Sequence, residues 1–178
     1  MKRISIACMV LSIVSFLMGM ALAGTLPDTG QTKCYDDVGN EINPCPNPGQ
    51  PFYGQDAQYI TNPQSYTKLD ANGNDLSDDA PWPWAMVRDN VTGLIWEVKT
   101  NDGTIHDKDN MYGWDELESA VIATLNSKNF GGFSDWRVPD IKELASIVNR
   151  NTYNPSIDIG YFPNTMLSSY WSFTTYID

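Results

Sequence analysis

Two short acidic stretches hold the residue types from which a hard cation site is built. "LDANGNDLSDD" places Asp70, Asn72, Asn74, Asp78 and Asp79 in one compact loop, and "NDGTIHDKDN" offers Asp102, Asp107, Asp109 and Asn110. Alternating carboxylate and amide oxygens are calcium chemistry, so calcium is the one cofactor the sequence admits, and none is required. The first stretch departs from the EF-hand pattern: Gly73 stands at the fourth place of the loop and no Glu stands at the twelfth. A solvated acidic turn is the competing reading. The second stretch contains His106, the single histidine of the chain, with no cysteine nearby. That composition does not build a zinc site of the His or Cys type.

Other chemistry is carried by cysteines, one arginine and a group of aromatics. Cys34 and Cys45 bracket "CYDDVGNEINPC", a spacing that suits a structural disulfide and not the C-x-x-C of a redox centre. Arg137, in "FGGFSDWRVPDIKEL", sits among aromatics and is read either as an anion-binding cation or as one satisfied by a carboxylate or carbonyls. Tyr161, Phe162, Tyr170, Trp171 and Tyr176 crowd the end of the chain. Aromatic faces stack on sugar rings, but Tyr and Trp also end largely buried in cores. Carboxylates are plentiful enough for a hydrolase with an acid pair. No spacing singles out such a pair and no nucleophile motif is present, so no catalytic residue is assigned.

Charge narrows the partners. The chain has 178 residues and a net charge of −11. Its first 23 residues carry Lys2 and Arg3 and no acid, so without them nine cations face 22 acids, a net charge of −13. So acidic a surface repels nucleic acid and anionic lipid, which are bound through phosphate neutralisation. Residues 1–23 read as an export leader: a basic start, an apolar run from Ile4 to Met20, and Ala21-Leu22-Ala23 before a cut between Ala23 and Gly24. An uncleaved anchor is the alternative, since the run is close to the ~17-residue minimum for crossing a bilayer. Cleavage leaves a chain that spans no membrane and is periplasmic, cell-surface or secreted.

The elements that must position these residues follow from local patterns. Residues 24–62, with "NPCPNPGQPFYG", are dense in turn formers and predict an irregular, disulfide-stapled N-terminal region. Residues 63–178 form the main domain. "CYDDVGNEI", "KLDANGNDL" and "VRDNVTGLIW" each place Asp or Asn three residues before a glycine, predicting hairpin corners at Gly39, Gly73 and Gly93. "GWDELESAVIATLN" repeats apolar residues at Trp114, Leu117, Ala120, Val121 and Leu125, a helical stripe. "DIKELASIVN" predicts a second helix with Asp140 and Glu143 as a capping box and Ile141, Leu144, Ala145 and Val148 inward. Gly131 and Gly132 reverse the chain between the two helices, with Phe130, Phe133 and Trp136 closing over the core.

These passages, together with "FPNTMLSSYWSFTTY", resemble in order the C-terminal domain family of Legionella collagen-like proteins, a domain of unknown function in secreted and surface bacterial proteins. The resemblance covers roughly residues 85–178, and its most specific elements are D-W-R-x-P-x-x-x-E-L and Y-W-S. It implies an α+β, C-type-lectin-like fold related to formylglycine-generating enzymes: two helices packed on a curled antiparallel sheet, with long loops carrying any site. It also implies recognition of a glycan or surface protein in place of catalysis; the surface that this sequence itself offers for that is Arg137, Tyr161, Tyr170, Trp171 and Tyr176. Family members continue past Y-W-S through further strands, whereas this sequence stops at Asp178. An exposed sheet edge that another chain covers, giving an oligomer or a structural envelope component, is the expectation if Asp178 ends the protein.

Overall fold

The local rule read at the hairpin corners is visible in the backbone. The structure, a computed structural model, describes residues 25–175 together with the strand dipeptides Ile6–Ala7 and Leu11–Ser12. Ala23, Gly24 and Tyr176 lie outside the described residues. The strands are β1 (Ile6–Ala7), β2 (Leu11–Ser12), β3 (Cys34–Tyr35), β4 (Glu41–Ile42), β5 (Tyr66–Leu69), β6 (Met86–Asp89), β7 (Ile95–Glu97), β8 (Trp136–Arg137) and β9 (Ser169–Tyr170). Between β3 and β4, Asp36 Oδ1 accepts the N–H groups of Val38 (3.1 Å) and Asn40 (2.8 Å), and Gly39 takes φ 88°. After β5, Asp70 does the same for Asn72 (2.8 Å) and Asn74 (2.9 Å), with Gly73 at φ 84°. The third corner is shifted by one residue from the expected Asn90. Asp89 accepts from the Val91 N–H (2.9 Å) and the Thr92 hydroxyl (2.7 Å), and its carbonyl takes the Gly93 N–H at 2.8 Å. A buried carboxylate facing three local donors outcompetes its amide neighbour for the capping role.

The fold is α+β. A five-stranded sheet runs in the order β5-β6-β7-β2-β8, with every neighbouring pair antiparallel. β3 and β4 form a separate hairpin stapled by the Cys34–Cys45 disulfide, and β1 lies parallel to β9. Both faces of the main sheet are buried. Val87 and Trp96 face a core with Ile147, Ile157 and Phe162, while Met86 and Ile95 face a core with Leu117, Val121 and Leu125. Alternate residues of one strand feed opposite cores, which is why all three residues of β7 are buried.

The first helix is continuous but not regular: α1 (Trp114–Glu116) passes into a π-helical segment (Leu117–Ile122) and then α2 (Ala123–Ser127). The wider repeat of a π segment stacks residues four apart, so Leu117, Val121 and Leu125 are buried while Ala120, expected inward, is exposed. In α3 (Ile141–Ser146) the predicted capping box is present: Asp140 Oδ1 accepts from Lys142 and Glu143, and Glu143 accepts from the Asp140 N–H. Its expected inward face is kept only in part: Leu144 packs half-buried against the core and Val148 is half-buried, but Ile141 and Ala145 are exposed. The helix stops after two turns, Ile141 lies 54 % exposed, and Ile147, just past the end, is the buried anchor.

The glycine pair between the helices has a steric reason. Gly131 (φ 66°) and Gly132 (φ 82°) carry the link across the β5 corner, where a Cβ on Gly73 would collide with the Gly131 carbonyl oxygen and one on Gly131 with Met86. Phe130 and Phe133 then pack on Trp136 at ring distances of 5.4 and 6.3 Å, as the sequence led one to expect.

Candidate functional site

The acidic loops are built by their own carboxylates. Asp70 spends its oxygens on Asn72 and Asn74 within the turn, and Asp102 accepts from Thr104 and the Thr100 hydroxyl. Asp107 accepts from the N–H groups of Gly103 (2.7 Å) and Asp109 (2.8 Å), and Asp109 pairs with Lys108. The hydrogen bond from Asn74 holds Asp70 below the usual carboxylate range, that from Thr104 does so for Asp102, and the Gly103 N–H does so for Asp107. Among the described residues, no group of three or more His, Cys, Asp or Glu side chains is placed to share one metal ion.

Asp78 behaves differently. It accepts the Tyr161 hydroxyl at 2.6 Å, a bond that pushes the Tyr161 phenol up to about 12. The Lys68 ammonium donates to the Asp78 carbonyl at 2.6 Å and lies 4.3 Å above the Trp84 ring, whose indole N–H donates to the Tyr161 carbonyl at 2.9 Å. One residue expected in the cation set and one expected on the ligand surface thus meet at a single junction. Trp82, 41 % exposed, stands edge-on to Trp84 at 5.0 Å beside it.

The remaining candidates are dispersed. Arg137 holds Glu143 with both ends of its guanidinium, at 2.9 and 2.5 Å, and donates to the Val138 carbonyl; Glu143 raises its pKa further. Its structural reading is therefore the one the geometry fills. Trp171 donates to the Tyr112 carbonyl at 3.0 Å and stacks edge-on against Trp114, and Phe162 is 1 % exposed. Tyr170 donates to the Met166 carbonyl and lines an open groove of about 700 Å³ beside α3. Leu144, Ile147, Pro155, Met166 and Leu167 are among its other walls, and none of the described residues that line it is charged. The groove gathers residues 144–148, 154–157 and 165–170, which share no motif, so no local sequence signal announces it.

A second feature missed in the sequence lies on the helix-facing side of β7. Glu97, fully buried, accepts from the Lys99 ammonium and from His106 Nδ1, each at 2.8 Å. The His106 ring stacks 4.6 Å from Phe130 at the wall of a cavity of about 380 Å³ that Asn72 and Lys128 also line. A neutral imidazole donating from Nδ1 leaves Nε2 an acceptor, suited to a bound hydroxyl. The usable signal was "WEVK": residues two apart on a strand share a face, so a Glu and a Lys there must pair when that face is buried.

Comparison with known proteins gives one match. Residues 85–178 fit the family model described as the Lcl C-terminal domain. No curated protein and no solved structure matches the chain.

Proposed function

This chain belongs to the Lcl C-terminal domain family, and from that premise we propose that it is an exported, non-catalytic recognition module that holds an apolar polypeptide segment in the groove beside α3. The observation that carries the reading is the lack of any charged side chain among the described residues that line the groove, on a molecule of net charge −11. Apolar walls with a few convergent polar groups are the usual make-up of a binding cleft. Export is supported by the leader pattern of residues 1–23 and by the disulfide, which persists in oxidising compartments. Periplasmic, cell-surface and secreted locations all satisfy it. Among the described residues, no helix is long and apolar enough to cross a membrane. The domain is taken as C-type-lectin-like, which the antiparallel sheet, the flanking helices and the long loops support. A second reading, a glycan stacked on Trp82, is favoured by the exposed ring beside the Tyr161–Asp78 junction.

The two readings separate on the full chain screened against a displayed library of twelve-residue peptides and against a glycan array with and without calcium. The groove reading expects apolar peptides to be captured without turnover, with at least a tenfold loss in Leu167→Asp and none in Trp82→Ala. Leu167 is 65 % exposed, so its replacement leaves the fold intact. Glycan capture abolished by Trp82→Ala, with no peptide bound, would overturn it in favour of the second.

A further inference from the structure

β7 and β8 are not neighbours in the sheet. β2 lies between them and pairs with both, Leu11 facing Trp96 on one side and Arg137 on the other, and Ser12 facing Ile95 and Trp136. One strand's place, about 9–10 Å across at two strand spacings, thus separates two inner edges. Each edge presents backbone donors and acceptors that only an inserted extended chain satisfies. The slot cannot close by sliding β8 toward β7. The Trp136 N–H and carbonyl are both held by the Asn126 side chain, at 2.6 and 2.9 Å, and its indole donates to the Phe130 carbonyl at 3.0 Å. Asn126 thereby caps the outer edge of β8, while Arg137, next along the strand, turns its backbone groups to the slot. The residues on both sides belong to the deep core: Trp96 is 0 %, Trp136 2 % and Ile95 5 % exposed.

The strand that fills this place comes from the apolar run read as an export leader. We propose that the space between β7 and β8 is a strand-acceptor site: residues 11–12 plug it in the uncut chain, and after leader removal an extended apolar strand donated by another polypeptide takes their place, antiparallel to both. The chemistry selects a polypeptide, because alternating N–H and C=O groups at strand spacing are supplied by neither a glycan nor a lipid. The apolar occupant and deeply buried flanks select an apolar strand. This site is separate from the α3 groove and does not depend on it.

The test uses the full chain with a protease site introduced between Ala23 and Gly24. Amide exchange is followed by mass spectrometry at 95–97 and 136–137, before and after cutting, with a labelled peptide of residues 5–16 carrying Cys8→Ser. The uncut chain is expected to exclude the peptide. The cut chain, freed of its leader, should exchange at least tenfold faster at both segments and regain protection with the peptide, but not with the same peptide carrying Leu11→Pro, which lacks the ladder donor. If the cut chain unfolds, recovery of the fold on adding the peptide supports the acceptor site and its failure overturns it. Leu11→Pro in the uncut chain supplies an independent check: exchange should rise at β7 and β8 while Thr67 and Val87 in the β5–β6 pair stay protected. Unchanged protection after leader removal overturns the proposal. So does recovery of protection through a dimer seen by sedimentation, since a second copy is then the occupant, or a leader found uncut on the exported protein.

Discussion

At the scale of single residues, burial decides which polar groups matter. Glu97 is fully enclosed with Lys99 and His106 as partners, so removing its charge strands a lysine that is itself only 8 % exposed. Breaking a buried pair from one side costs about 3–5 kcal/mol, whereas replacing both partners by apolar groups is often near neutral. Glu97→Gln should therefore lower unfolding stability by about that amount in urea titrations, and Glu97→Leu with Lys99→Met should recover most of it. The tryptophans give a finer contrast. Trp136 donates its indole N–H to the Phe130 carbonyl, whereas the Trp96 indole N–H is buried with no partner among the described residues. Replacement by Phe removes similar volume at both, so Trp136→Phe should cost about 1 kcal/mol more than Trp96→Phe, the worth of one hydrogen bond. The loop carboxylates make stability pH-dependent. Asp36, Asp70, Asp102 and Asp107 all titrate below their ordinary range in the folded chain. The unfolded chain takes up protons first, so this stabilisation is full above an ordinary carboxylate pKa of about 4 and is lost as pH falls through the depressed values. Melting midpoints between neutral and acid pH should drop accordingly, and Asp70→Asn should be less stable at neutral pH with a shallower decline.

At the scale of elements, glycine positions separate backbone strain from collision. Gly93 and Gly73 both have positive φ, but no described residue comes within 4 Å of a Cβ at Gly93, while one at Gly73 meets the Gly131 backbone. Gly93→Ala should cost about 1–2 kcal/mol from the left-handed conformation alone. Gly73→Ala should cost more, since overpacking adds about 1–3 kcal/mol, and comparing the two in urea checks the contact. The same positions show what a sequence discloses. The corners at Gly39 and Gly73 and the Asp140–Glu143 cap are chemistry within five residues, so they are legible without a fold. The shift from Asn90 to Asp89 was not, because the choice between two adjacent acceptors depends on which one is buried. Nor were the π segment and the exposed Ile141. Both are set by what the helix faces, and a periodicity read along the chain assumes a regular helix of sufficient length. The place between β7 and β8 joins residues tens of positions apart, and the groove gathers segments of residues 144–170 that share no motif. In the Glu97 cluster the spacing from Glu97 to Lys99 is local, and what could not be read was that their face of the strand is buried.

At the scale of the whole molecule, net charge and loop saturation together decide what calcium does. Polyanions such as sulfated glycans face a chain of net charge −11, so direct contact is opposed over a Debye length of about 8 Å at physiological salt. A bridging divalent cation is the physical route around that repulsion. Yet the carboxylates that would hold one already accept from their own loops, and a cation binding there must displace those bonds. A ligand that binds only the folded state raises the midpoint of thermal unfolding with its concentration. Millimolar calcium is therefore expected to leave the midpoint where chelator leaves it, and retention on immobilised sulfated glycans is expected to be absent in both conditions. A rise of several degrees with calcium would mean that Asp70 or Asp107 gives up its backbone donors to the ion. Calcium-dependent retention on the glycan would then follow from the same loops, because the acidic surface that repels the polyanion would carry the cation that recruits it.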